Sequence, residues 1–401
     1  MTEIAWLTSS YPWSGSPFGG IFFQSQARAL ERAGLSLTVV APLPAAPWPL
    51  AHLGERWRTR SLAPREAWDG KVKVVRPTYP NLPGEPGWAM PDRFIANAAW
   101  RRRADWSGAR LIHGHYSLIG LAAWRLAHRA HVPFVLTFHG SDLNTWPARH
   151  ADRLGDLRAA VREAAAVFAV SGALATRLRD LTGAEAIHLP IGIDHRAVDA
   201  SALPKLEARE ALGLPTDAVI ALFVGHLVKE KGVREFVSAI TGLGDPFVGV
   251  LVGAGPESGL GTTSPQAAGR IVFAGPRPQG DVLRFMAAAD VMVLPSYGEG
   301  LPTVLVEAGS VGLPVVGSAV GGIPELLADG RGTVLPEVST EAVASALAQF
   351  TASRGSAAVA ARRLQAHVRA EYDVDVNAAR LLDHYIAIDG DIGARPRRLG
   401  A

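Results

Sequence analysis

Two short glycine-rich segments constrain this chain more than any other part of it. The first is Gly225-His226-Leu227-Val228-Lys229-Glu230-Lys231-Gly232. The second runs from Ser296 to Glu307 as Ser-Tyr-Gly-Glu-Gly-Leu-Pro-Thr-Val-Leu-Val-Glu. Each follows an apolar run that reads as a strand, Val219–Val224 and Val291–Leu294, and each opens a helix-like stretch. A strand, a glycine turn and a helix start leave backbone N–H groups free at the positive end of a helix dipole. Glycine also lets an anion approach the backbone. Lys231 adds a cation. Glu299 and Glu307 are carboxylates, which suit sugar and ribose hydroxyls and do not favour phosphate. A polyphosphate flanked by sugars would use all of these groups.

The same alternation runs through the whole chain and predicts an α/β fold with parallel sheets. In the first half the strand-like runs are Ile4–Thr8, Leu37–Ala41, Lys73–Arg76, Leu111–His113, Phe134–Phe138, Ala166–Val170 and Ala186–Leu189. In the second they are Val219–Val224, Phe247–Val252, Ile271–Ala274, Val291–Leu294 and Val315–Gly317. Helical patterns fall between them, among them Phe22–Arg32, Leu118–Arg129, Leu154–Glu163, Val233–Ile240, Val282–Ala288 and Thr340–Phe350. Two Rossmann-like units in tandem fit this better than one large sheet. Pro204 and Pro215 punctuate the junction, and the domains are read as 1–193 and 194–376. Residues 42–106 are the least regular, and the tail from Asp389 to Ala401 is expected to fray.

A chain of 401 residues is long enough for two such domains, and 48% apolar content supports real cores. Without cysteine there are no disulfides and no thiolate chemistry, which fits a reducing cytoplasm. Met1–Leu7 lacks a basic leader and no run approaches about 18 apolar residues, so a cytoplasmic place is expected. Residues 1–190 carry 22 Lys and Arg against 14 Asp and Glu, whereas the rest carries 18 against 23. The cationic first half suggests a phosphate-bearing acceptor or a membrane surface. Phe94, Ile95, Trp100 and Arg101-Arg102-Arg103 would suit a peripheral contact at the inner membrane face. The alternative is that the tryptophans pack locally and the arginines are solvated. No nucleic-acid partner is expected.

The ordered set of motifs resembles the family 4 retaining glycosyltransferases, bacterial polysaccharide type. It comprises Gly19-Gly20, His139-Gly140-Ser141-Asp142, Val170–Leu174, Pro190–Asp194, the two segments above and Gly321-Gly322-Ile323-Pro324-Glu325. The resemblance covers most of the chain. It implies the GT-B fold, two Rossmann-like domains facing across a cleft, with the last helix, 377–388, crossing back to the first. The donor, a UDP- or GDP-sugar, would sit mostly on the second domain. The acceptor, a glycan, lipid-linked or small molecule, would sit on the first.

The resemblance also distributes roles. Lys231 with His226 would hold the donor diphosphate and the charge that builds on it. The family usually has arginine where His226 stands, so activity here could depend on pH. Gly19, Gly20 and Gly225 would approach the donor. Gly300, Leu301, Thr303 and Val304 would give it backbone N–H contacts. Glu307 would bind the ribose and Glu299 the donor sugar. Arg277 lies in the loop expected near the nucleobase. His139 ends an apolar strand, where open α/β sheets bind ligands, and would face the transferred sugar. His115 would line the acceptor side. Asp142 would orient the acceptor or cap the next helix.

His113-Gly114-His115 offers too few ligands for a metal site. Asp373-Val374-Asp375 and Asp389-Gly390-Asp391 match Asp-x-Asp but do not follow a sheet strand. No cofactor and no metal are expected. The reading is a retaining, metal-independent hexosyltransferase of cell-surface polysaccharide biosynthesis. The rivals are a nucleotide-sugar epimerase or hydrolase of the same fold and a non-catalytic nucleotide-sugar binder. A nicotinamide-dependent dehydrogenase fits poorly, because no Gly-x-Gly-x-x-Gly follows a first strand.

Overall fold

A computed structural model describes residues 2–45, 55–81, 91–260 and 269–393. The chain divides into two compact units, Met1–Gly192 with Val374–Ala401, and Ile193–Asp373. The sequence puts the first break at 193/194 and the start of the returning helix at 377, whereas that helix begins at Val374.

The first unit holds β1 (Ile4–Leu7), β2 (Leu37–Val40), β3 (Leu43–Ala45), β4 (Glu66–Asp69), β5 (Val72–Val75), β6 (Thr78–Pro80), β7 (Leu111–His115), β8 (Phe134–Phe138), β9 (Ala166–Ala169) and β10 (Ile187–His188). Eight of them form one sheet in the order β10-β9-β8-β7-β1-β2-β5-β4, and β3 pairs with β6 separately. The large sheet is parallel except for β4 against β5. Its central strands β1, β2, β7 and β8 are buried along their whole length, as expected of a parallel sheet covered on both faces; Ile4, Trp6, Ile112 and Val135 have no solvent exposure. The helix Ile21–Arg32 sends Phe23, Ala27 and Leu30 into this core, and the helix Val374–Ile388 sends Leu381 and Tyr385 into it.

The second unit holds β11 (Val219–Val224), β12 (Phe247–Val252), β13 (Ile271–Gly275), β14 (Val291–Leu294), β15 (Val315–Ser318) and β16 (Thr333–Leu335). They form one parallel sheet in the order β13-β12-β11-β14-β15-β16. The chain builds outward from β11 through β12 to β13, then returns to its other side at β14. The loops after β11 and β14 therefore leave the carboxyl ends of two strands at a topological switch point, where open α/β sheets bind ligands.

The longer apolar strands lie where the sequence placed them. It missed β3, β4, β6, β16 and the 18-residue helix Arg354–Glu371. The antiparallel β4 had a signal. Asp69 pairs with Val72, which leaves the two-residue hairpin loop Gly70-Lys71 with glycine first, at φ 61°. The tail differs from expectation. Arg110 binds Asp389 at 2.8 Å and Asp391 at 2.6 Å, and Ile392 is 1% exposed, so the chain stays packed past Asp389. Residues 394–401 lie outside the described part.

In the helix Pro91–Arg101, Ile95, Ala96, Ala98 and Ala99 are buried. Arg129 stacks 4.3 Å over Trp100, Trp106 is buried, and Arg102 pairs with Asp105 and Glu66. That apolar face is thus turned into the unit. No helix among the described residues is long and apolar enough to cross a membrane.

Candidate functional site

In the second unit the loops after β11 and β14 are tied together. The Tyr297 N–H donates to the Glu230 carbonyl at 2.9 Å. Gly232 sits at φ 71°, and a Cβ there would stand 2.0 Å from the Pro295 carbonyl oxygen. Only glycine allows this approach, which brings Lys231 beside Glu299. The Lys231 Nζ donates to Glu299 Oε1 at 2.6 Å, and the Ser296 hydroxyl donates to the same oxygen at 2.7 Å. Sequence reasoning assigned these two residues to phosphate and sugar and did not see that they meet. Ser296 gave no signal of its own.

Behind Glu299 passes the Gly321-Gly322 turn. A Cβ on Gly321 (φ 54°) would lie 2.3 Å from the Glu299 carbonyl oxygen, and the Gly322 N–H donates to the Gly300 carbonyl at 2.6 Å. Leu301 is buried. Pro302 precedes the helix Thr303–Ser310, whose start has no side-chain cap. The first N–H groups, those of Thr303 and Val304, have no intrahelical acceptor and form the positive end of the helix dipole.

Glu307 is buried one turn further on, 9% exposed. Burial pushes its carboxyl up to about 7, against a smaller lowering by Gln279. The Gln279 Nε2 donates to Glu307 Oε1 at 2.9 Å. Gln279 was missed, though it opens the helix after the Arg277 loop. Arg277 is exposed and folds back, its Nε donating to the Ala274 carbonyl at 2.9 Å. Gly225 follows β11, and its N–H donates to the Val252 carbonyl at 3.0 Å. His226 is exposed, and its ring has no hydrogen-bond partner among the described residues. A third glycine loop, Gly253-Ala254-Gly255, packs on this one, with the Leu227 N–H donating to the Ala254 carbonyl at 2.9 Å. Its signal, a glycine turn after an apolar run, was present in the sequence.

In the first unit Gly20 caps the helix Ile21–Arg32 at φ 82°. A Cβ on Gly20 would lie 2.7 Å from the Ser10 carbonyl oxygen, and one on Gly19 would lie 2.7 Å from Ser16 Oγ. These glycines hold the turn against the loop that follows β1.

Nearby is a stack of imidazoles. His139 Nε2 and His115 Nδ1 are 3.0 Å apart, and the His115 ring stacks 4.1 Å from His113. His113 Nδ1 accepts from Trp6 Nε1 at 2.7 Å and also meets the Tyr385 hydroxyl, while its Nε2 meets Thr137 Oγ1 at 2.7 Å. Burial pulls His139 down to about 3 and drives His113 and His115 well below their ordinary range, so all three rings are neutral near pH 7. His115 has no solvent exposure. The structure thus sets it one layer behind His139 and not on the lining expected for it. The reason is the alternation of β7, which packs both its histidines inward. His139 Nδ1 is enclosed without a partner.

The Asp142 carboxylate accepts from the Gly140 N–H at 2.6 Å and from the His139 N–H at 3.1 Å. Burial raises it to about 6 against these bonds. In this position it clamps the turn from inside. The Asp-x-Asp segments are engaged too: Asp375 pairs with Arg32 at 2.5 Å, and Asp389 and Asp391 share Arg110. Among the described residues no group of three or more His, Asp or Glu side chains is arranged to hold a metal ion.

Residues 20–196 match the family model described as Glycosyltransferase Family 4, and residues 204–366 match Glycosyl transferases group 1. A putative teichuronic acid biosynthesis glycosyltransferase, TuaC of Bacillus subtilis, is 35% identical over 96% of this chain and 98% of its own length. Among solved structures, sucrose-phosphate synthase from Thermosynechococcus elongatus superposes with a TM-score of 0.81 at 22% identity, covering 97% of this chain and 100% of that one. Anabaena HepE in complex with UDP-glucose does so at 0.72 and 18% identity, covering 96% and 100%.

Proposed function

The chain belongs to family 4 of the glycosyltransferases and has the GT-B fold, and from that premise we propose that it moves a sugar, with retention and without a metal, from a nucleotide-diphosphate sugar to a glycan, lipid-linked or small-molecule acceptor. The observation that carries this reading is the Lys231–Glu299 pair, 2.6 Å apart between two loops at a switch point and beside an uncapped helix start. A phosphate oxygen beside a sugar hydroxyl would meet both charges there. Glu307, positioned by Gln279, takes the ribose hydroxyls. Gly225 and the N–H groups of Gly300, Leu301, Thr303 and Val304 approach the diphosphate and sugar, and the Arg277 loop lies by the nucleobase.

In the transfer, the bond between the anomeric carbon and the diphosphate oxygen breaks. The acceptor oxygen bonds to the same face of the sugar, and the departing phosphate takes the acceptor's proton. Lys231 and His226 hold the charge that builds on the diphosphate. His139 offers a neutral imidazole nitrogen to a hydroxyl of the transferred sugar by exchanging its bond with His115. Asp142 keeps the turn in shape for that exchange. The likeness to the teichuronic acid glycosyltransferase supports a place in cell-surface polysaccharide synthesis, on the cytoplasmic side. The excess of cations over residues 1–190 would suit a peripheral contact with the inner membrane face.

Thermal-shift screening of UDP- and GDP-sugars tests the donor, because a ligand at 100 times its Kd stabilises by about 2.7 kcal/mol. Release of nucleoside diphosphate only with an acceptor present separates a transferase from a hydrolase and from an inert binder. NMR of the product's anomeric configuration tests retention. Transfer should survive EDTA. Loss of activity with chelator and its return with Mg²⁺ or Mn²⁺ would sink the metal-free route.

A further inference from the structure

At the carboxyl end of the first unit's sheet lies a cavity of about 490 Å³ that the reading above does not use. The chain enters it just after β1 (Ser9, Ser10), after β2 (Ala41) and after β5 (Arg76). Trp13, Ser16 and Thr59 add an aromatic face and two hydroxyls. Ser10 and Ser16 are the residues that Gly20 and Gly19 approach most closely, so the cavity abuts the glycine turn.

Arg76 is the anomaly. It is 2% exposed; its NH2 group donates to the carbonyls of Pro12 at 2.9 Å and Tyr11 at 3.4 Å, and its NH1 group to the carbonyl of Pro64 at 3.3 Å. Its Nε is buried without a partner, and among the described residues no carboxylate pairs with it. The nearby Asp69 is taken by the Tyr11 hydroxyl at 2.7 Å and by Arg28 at 2.6 Å. No Asp or Glu is among the described residues lining the cavity, and Arg60 adds a second guanidinium. A buried charge without a counter-ion is costly, and proteins pair such charges. Burial accordingly holds the Arg76 pKa below its ordinary value.

We propose that this cavity binds the oxyanion of an anionic sugar acceptor, a carboxylate or a phosphate ester, with Arg76 as its counter-charge and Trp13 and the serine hydroxyls against the sugar ring. Guanidinium groups match both oxyanions in geometry, and an aromatic face with hydroxyls suits a sugar. Calling the ligand an acceptor rests on the transferase reading, whereas the binding itself does not.

The probes are methyl glucuronide, glucose 6-phosphate and methyl glucoside, titrated into the full chain by calorimetry or ligand-observed NMR without donor. At least one anionic sugar should bind about 10- to 100-fold more tightly than methyl glucoside, and added NaCl should weaken it. The preferred anion, carboxylate or phosphate, names the acceptor group. Arg76→Gln should remove that preference, and Arg76→Lys should keep part of it. Should Arg76→Gln fail to fold, Ser9→Trp at the exposed rim serves in its place and should exclude both anions. Nucleoside diphosphate binding by either variant should match the parent. Equal binding of neutral and anionic probes, or anion binding untouched by Arg76→Gln or Ser9→Trp, would overturn the proposal. If the anions bind as expected but no nucleotide-sugar does, the transferase reading fails and the anion site stands.

Discussion

At the scale of single residues, Glu307 should shape the pH profile of donor binding. Glu307 is held near 7 by burial, and hydroxyl donors prefer a carboxylate. Donor affinity should therefore rise as pH climbs through about 7, with proton release on binding, and Glu307→Gln should flatten that limb. The stability sign is the reverse. A carboxyl whose folded value is raised binds more protons when folded, so stability falls as pH rises from the unfolded range toward 7. The loss is of order 3 kcal/mol at most and should be absent in Glu307→Gln. Arginine keeps its charge at every working pH, so His226→Arg should bind the donor at least as well as the parent and hold its affinity at alkaline pH. Parallel curves for the two proteins would mean that His226 is not a phosphate ligand. Lys231→Ala should cut turnover about 100- to 1000-fold while circular dichroism stays unchanged. Near-parental transfer would place the diphosphate elsewhere. The types of these residues were legible because they stand in glycine turns after apolar strands. Their partners were not. Lys231 and Glu299 are 68 positions apart, and Gln279 and Glu307 are 28 apart.

At the scale of elements, the glycine turns are built by contact as much as by φ. Gly232 and Gly183 have nearly the same backbone, φ 71° and 76°. A Cβ on Gly232 would strike the Pro295 carbonyl at 2.0 Å, whereas one on Gly183 meets nothing within 4 Å. Gly183→Ala should cost about 1 kcal/mol of backbone strain. Gly232→Ala should cost clearly more, roughly 3 kcal/mol, and should also loosen the Lys231–Glu299 pair. Equal urea midpoints for the two variants would show that the loop after β14 moves aside freely. The elements missed in the sequence were hidden for two reasons. β3, β6 and β16 have three residues each, too few for a period to register. The helix Arg354–Glu371 buries only Ala361, Leu364 and Val368, so its polar surroundings hide the apolar stripe.

At the scale of the whole molecule, the sequence by itself determined the α/β class, the two strand series and the glycine turns that follow β11 and β14. All of these rest on interactions within a few residues: strand runs covered on both faces, glycines at turns and helix starts after them. The tertiary structure alone decided what each polar side chain meets. It set His115 behind His139, turned Asp142 onto its own turn, drew Asp375 and Asp389 to arginines, and packed the helix Pro91–Arg101 inward where a membrane face had been considered. It also left Arg76 buried without a counter-ion beside a cavity. Burial and ion pairing depend on segments brought together from far along the chain. A carboxylate or an imidazole has the same letter whether it is solvated, paired or alone, and only the packing around it sets its charge.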